Sequence, residues 1–272
     1  MTDACSDECD HPCGSCNDNF RIVSNTIYRE VKKKIESTSL EKSTELSETY
    51  FEQGKASESS SDDNRLAISF KKEKNASFYP LHSISGIFSR AFFMLKIPVR
   101  YTEGFNPLPR MEFSQPLALG IESSDDIMAV WLNREITISD EAVFIAAFNQ
   151  ALPNGISINA IKLGKKRSEG KNSIGSLYWG SQYVVRVFRD EYYQMLSKSL
   201  HAADDGLEEL IVDDNSNTLH ITLNDAHGGD RNVMKLISSA LSTEKTLELC
   251  SISRARSFSL IEKKKVPLIN VL

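Results

Sequence analysis

Residues 65–98, RLAISFKKEKNASFYPLHSISGIFSRAFFMLKIP, change their apolar period midway, and that change decides the fold class. Leu66, Ile68 and Phe70 alternate as in a strand with one buried face. Ile84, Phe88, Ala91, Phe92 and Leu95 then recur at helical spacing, and Pro98 lies just past the stop. Outward from this stretch, Met111–Leu117 and Ile127–Leu132 read as strands. Ser139 or Asp140 can cap a helix that carries Val143, Ala146, Ala147 and Phe148. Pro153-Asn154-Gly155 ends that helix, and Ile156–Leu163 is a further strand.

After the turn-rich GKKRSEGKNSIGS (164–176) the same order returns. Tyr183–Phe188 reads as a strand, 190–203 as a helix, and 207–213 and 218–224 as strands. Asp230 is placed to cap a helix carrying Val233, Leu236, Ile237 and Leu241, and Thr246–Ser251 and Arg256–Ile261 close the half as β segments. No sequence repeat links the halves, so the duplication rests on pattern alone. The reading is an α+β chain of two tandem ferredoxin-like (βαββαβ) units, over 65–164 and 176–262, preceded by a disordered N-terminal region. Residues 263–272, which begin Lys263-Lys264-Lys265, read as a solvated tail.

The chain has 272 residues, 40% hydrophobic and 25% charged, as in ordinary globular proteins. Residues 1–35 hold six acids and five bases, and residues 36–64 hold eight acids and two bases. With −5 on the whole chain, residues 65–272 carry +2, so the acidity does not make the folded part repel RNA. Residues 26–64 form an acidic, Ser/Glu-rich linker too poor in apolar side chains to offset its ordering entropy, and are expected to be largely disordered. No window reaches the ~18 apolar residues of a membrane span. The opening MTDACSDECDHPC has neither a basic start nor an apolar run, so a cytoplasmic location without membrane contact is expected.

Residues 1–25 form a Cys-rich head, with Cys5-x3-Cys9-x3-Cys13-x2-Cys16. In a reducing compartment such density points to metal more than to disulfides, and thiolates at this spacing can hold zinc or an iron–sulfur cluster. Loose thiols are the plain alternative. His11 stands among them as a further candidate ligand, while Cys250 sits in a strand-like run and reads as core.

Between the first helix and the next strand lies Tyr101-Thr102-Glu103-Gly104-Phe105-Asn106-Pro107-Leu108-Pro109-Arg110. Pro107 and Pro109 each fix φ near −65° and push Asn106 and Leu108 towards extended backbone. Gly104 admits a φ that side chains disfavour. The result is a stiff loop presenting Tyr101, Glu103, Asn106 and Arg110, either for binding or merely to cover the end of the sheet.

The run LHSISGIFSRAFFMLKIPVRYTEGFNPLPRMEFSQPLALGIES (81–123) resembles the bacterial radical SAM-linked domain of unknown function. His82, Arg90-Ala91, Ile97-Pro98, Tyr101, Glu103 to Pro107, Pro109, Phe113, Pro116-Leu117, Gly120 and Glu122-Ser123 carry the likeness. It covers about residues 65–262, strongly in the first half. It implies a radical SAM protein as partner, and RNA or ribosome-related factors through the neighbourhood its members keep. It also implies that residues 4–17 match the short Cys cluster at the end of such partners. Cys9, Cys13 and Cys16 reproduce the C-x3-C-x2-C spacing of radical SAM enzymes themselves, but no barrel surrounds them in the sequence. The chain departs from the family pattern at Ser83-Ile84, where an acid usually follows the histidine, and at Leu108, where the loop usually carries a second histidine.

These departures remove titratable groups that acid–base catalysis would need. The expected function is therefore that of a non-enzymatic accessory protein positioning an RNA or protein substrate for its partner. His82, Arg90, Tyr101, Glu103, Asn106, Arg110 and Glu122 are the candidate binding residues. One alternative is a free-standing RNA-binding protein that stacks bases on Tyr183 or Phe188 of an open sheet, with Lys165, Lys166, Arg167, Lys171, Arg254 and Arg256 as its basic surface. The other is an enzyme with His82, Arg90, Glu103 and Arg110 in one pocket.

Overall fold

The computed structural model describes residues 51–56, 64–165, 173–202, 207–224 and 232–272. The Cys-rich head with Cys5, Cys9, Cys13 and Cys16 lies outside the described residues, as do most of the linker, Lys166, Arg167, Lys171 and Asp230. Within them the chain is a mixed α/β fold with a sheet-rich core and six helices. None of these helices is long and apolar enough to cross a membrane.

The first half runs β1 (Phe51–Ala56), β2 (Asn64–Lys72), α1 (Leu81–Met94), β3 (Met111–Phe113), β4 (Glu122–Trp131), β5 (Arg134–Ile138), α2 (Glu141–Ala151) and β6 (Ile156–Lys165). Its main strands lie in the order β6-β2-β4-β3, each antiparallel to its neighbour. Leu66, Ile68 and Phe70 of β2 face α1, whose buried stripe is Ile84, Phe88, Ala91 and Phe92. Phe148 of α2 closes this core, with its ring 5.7 Å from Phe92 and 6.1 Å from Phe88. Of the two candidate caps for α2, Asp140 serves, accepting a hydrogen bond from Val143 N at 3.1 Å. After α2 the chain turns at Gly155, whose φ is +89° and where a Cβ would stand 2.8 Å from Glu73 O.

The second half runs α3 (Ile174–Leu177), β7 (Gly180–Val187), α4 (Asp190–His201), β8 (Leu207–Asp213), β9 (Thr218–Leu223), α5 (Val233–Ala240), α6 (Thr246–Leu249), β10 (Cys250–Ile261) and β11 (Lys264–Pro267). Its sheet order is β10-β7-β9-β8, again antiparallel throughout. The two halves meet where β10 pairs in parallel with β4 at Glu122 and Ser123, which makes one nine-stranded sheet.

Several expectations are corrected. The strand expected over Met111–Leu117 stops at Phe113, and Pro116 has no N–H to continue a ladder. That leaves the far end of this edge of β4 for β10. Thr246–Leu249 is a helical turn rather than a strand, and β10 starts at Cys250. Asn232 caps α5, accepting from Met234 N at 2.8 Å. Phe51–Ala56 forms a strand paired with β5, inside a stretch whose composition predicts disorder. Its Phe51 is buried, and packs edge-on against Phe144 at 6.2 Å.

The last ten residues are not a solvated tail. β11 folds back to pair antiparallel with β10, and Leu268, Val271 and Leu272 are buried with Ile174 and Tyr178 against Ala67, Ile127 and Ala129. The first half of the sheet is therefore covered on both faces. In the second half, Tyr183, Val185, Leu219 and Ile221 face the helices, while the alternate residues Arg186 and Ser251 remain exposed on the other face.

Candidate functional site

Two places in the first half gather unusual chemistry, at opposite ends of β4. At its C-terminal end the segment 101–110 leaves the sheet as a hairpin. Arg100 N donates to Trp131 O at 2.7 Å, Trp131 N to Arg110 O at 3.0 Å and Arg110 N to Arg100 O at 2.8 Å. Higher up, Thr102 N donates to Leu108 O at 2.8 Å, and Leu108 N donates to Thr102 Oγ1 at 3.1 Å. Pro109 is buried at the base, and the Arg110 guanidinium lies 5.0 Å over the Trp131 ring. Gly104, at φ +143°, turns the chain at the tip in open space. Phe105 is wholly exposed there, with Tyr101 and Leu108 exposed below it and Glu103 and Asn106 beside it.

The other end holds a cavity of about 250 Å³ between β2, β4, the residues after β3 and the start of α1. Its wall includes Phe70, Ile84, Phe113 and Leu117, the phenol of Tyr79, and two charged side chains, Lys72 and Asp126. A bulge places them: Phe70 pairs with Asp126 but Lys72 with Ser123, so β4 carries one extra residue here. Asp125 is directed to the other face, accepting from Ser69 Oγ at 2.7 Å and Ser257 N at 2.8 Å. Asp126 takes a 2.7 Å ion pair from Arg254 Nη1, and Arg254 Nη2 donates to Gln115 O at 2.8 Å.

Arg254 is 0% exposed, with its guanidinium 5.9 Å over Tyr183. Burial works against its charge, but Tyr183 and Asp126 outweigh burial and the net push is upward. Lys72 is 5% exposed and has no hydrogen bond or ion pair with a described residue. Burial pushes its ammonium below the usual lysine range, against the pull of Asp126 and with help from Arg254.

The seven residues singled out in the sequence divide between these ends. Tyr101, Glu103, Asn106 and Arg110 share the hairpin. His82 is exposed on the first turn of α1, beside the cavity residue Leu81, and Arg90 is exposed farther along the same helix. Glu122 begins β4 and accepts a 2.8 Å hydrogen bond from Lys74 N. From Asp126 to Trp131 the strand rises roughly 17 Å at ~3.3 Å per residue. His82 and Glu103 therefore do not share a pocket. Tyr183 is buried and Arg254 lies inside the sheet seam, so neither offers a surface for nucleic acid, whereas Phe188 is exposed.

Cys250 is core, as read: its Sγ donates to Thr246 O at 3.3 Å, and burial pushes the thiol up to about 11. Among the described residues no group of three His, Cys, Asp or Glu side chains could hold a metal.

The sheet order and this pair of sites define an α/β protein with an inserted hairpin. The chain belongs to the bacterial family described as "Uncharacterized protein conserved in bacteria (DUF2344)", whose model matches residues 65–259. No curated protein matches it. Among solved structures, an unknown protein from Galdieria sulphuraria is 13% identical, with 71% of this chain and 98% of that one covered and a TM-score of 0.21. A DypB variant from Rhodococcus jostii RHA1 in complex with heme is 8% identical, with 71% and 90% covered and a TM-score of 0.17.

Proposed function

We propose that this chain is an accessory protein that works in the cytoplasm with a radical SAM partner, docks on it through the 101–110 hairpin, and positions an RNA or protein substrate for it. The observation that carries this reading is Phe105. A phenyl ring held wholly in water at the tip of a hydrogen-bonded, proline-stiffened hairpin has no role in packing. A partner that buries it gains apolar area without the cost of ordering a loop. Tyr101 and Leu108 widen the apolar contact, and Glu103, Asn106 and Arg110 supply the polar rim that sets orientation. The resemblance of residues 81–123 to the radical SAM-linked domain supports that partner class, and Cys5, Cys9, Cys13 and Cys16 would hold zinc or an iron–sulfur cluster.

Each half reads as a ferredoxin-like unit. In both, the four strands around the two main helices stand in the order fourth, first, third, second, with β1 and β5 of the first half set apart as a two-stranded sheet. The test is affinity capture of a radical SAM protein encoded beside this chain, by the wild type and by Phe105→Asp. The wild type is expected to hold it stoichiometrically and the variant at least tenfold more weakly, with the unfolding midpoint unchanged. Failure of the wild type to capture the partner overturns the reading.

A further inference from the structure

We infer that the cavity at the start of α1 binds a small monocarboxylate with an apolar body, with Lys72 as its counter-ion. The reading is separate from hairpin docking, since the cavity lies at the other end of β4. Two independent features converge on it. The first is Lys72: an ammonium on a 5% exposed residue, without a hydrogen-bonding or ion-pairing partner among the described residues, in the wall of a cavity. A buried charge left this way is costly unless something compensates it. Asp126 cannot do so fully, because its carboxylate is held by Arg254 at 2.7 Å. Lys72, Arg254 and Asp126 together leave one positive charge facing the cavity.

The second feature is α1 itself. This helix of 14 residues opens at Pro80 and Leu81, both in the cavity wall, and no side chain caps its first amides. Such an end carries unsatisfied N–H groups and partial positive charge, which suit an anion. The remaining wall is mostly apolar, with Phe70, Ile84, Phe113 and Leu117, and its neutral polar members are Tyr79, Ser114 and Gln115. One net positive charge in an apolar setting fits a single carboxylate, whereas a dianionic phosphate would bring a second charge with no partner. The volume of about 250 Å³ equals roughly eight waters at ~30 Å³ each, the size of a phenyl or short branched acid.

The test is calorimetric titration of the full chain with propionate, benzoate and hydrocinnamate, and with the neutral hydrocinnamamide and inorganic phosphate as contrasts. Saturable one-to-one binding of hydrocinnamate or benzoate is expected, at least tenfold tighter than the amide and phosphate. Lys72→Met should weaken it at least tenfold while raising the unfolding midpoint, which reports that the fold is kept. Leu119→Trp, which narrows the cavity without touching a charge, should weaken acid binding as strongly, whereas Lys198→Ala, an exposed change on α4, should leave it unchanged. Equal binding of acid and amide, preference for phosphate, retention of affinity in Lys72→Met, or no binding of any of the three acids would each overturn the inference.

Discussion

The two halves of the sheet share one strand order and differ in what lies on their outer face. In the first half Ala67, Ile127 and Ala129 are sealed beneath Ile174, Tyr178, Leu268, Val271 and Leu272. In the second half the corresponding face carries exposed Arg186 and Ser251 and half-exposed Ile211. Strand order alone therefore does not decide whether a sheet offers a platform, and the residues at alternate positions do. The sealed half is also where the insertions accumulate: the hairpin at one end of β4 and the cavity at the other. A sheet packed on both faces is a stiff base from which an exposed loop can act.

The largest effect expected from breaking this comparison lies at the seam. Arg254→Ala leaves Asp126 and Gln115 O without their buried partner and should cost about 3–5 kcal/mol in urea unfolding. A cost below about 1 kcal/mol would mean that the seam is not held there. Next, Leu268→Ala should cost about 2–5 kcal/mol, whereas Arg186→Ala on the open face should stay within about 0.5 kcal/mol. Similar values for the two would erase the contrast between the faces. Gly155→Ala forces a side chain into positive φ against Glu73 O, for about 1–3 kcal/mol by the same unfolding assay.

The smallest effect concerns Lys72 and is read through pH. Its folded ammonium titrates below the unfolded value of 10.5, so between these two points the unfolded chain binds more protons. Stability then rises with pH across that window, and the penalty is full below it. Lys72→Met should therefore be the more stable protein at neutral pH, with its advantage shrinking as pH rises towards 10.5. An advantage independent of pH would argue that Lys72 is not strained by burial.

Much of the fold was legible because burial writes its period into the chain: Leu66, Ile68 and Phe70 for β2, and Ile84 to Phe92 for α1. Phe51 was not, because one apolar ring among Glu48, Glu52 and Glu58 looks like linker until β5 pairs with it. The end of the chain was hidden by Lys263-Lys264-Lys265, which outweighed the Val266, Leu268, Ile269, Val271 and Leu272 that follow. The hairpin was visible because prolines and glycine act locally. The cavity was not, since Lys72 ends a strand as a charge that reads as solvated, and Arg254 finds Asp126 128 residues away in the chain. Only the β4–β10 pairing brings that ion pair to the cavity wall.

Site-specific crosslinking tests the proposed docking through the hairpin most directly. A photoreactive phenylalanine analogue at position 105, and separately at position 188 on the second half, would be irradiated with the proposed radical SAM partner present. Efficient crosslinking from position 105 and little from position 188 is the predicted result. Crosslinking from 188 alone, or from neither, would contradict the proposed docking through the hairpin.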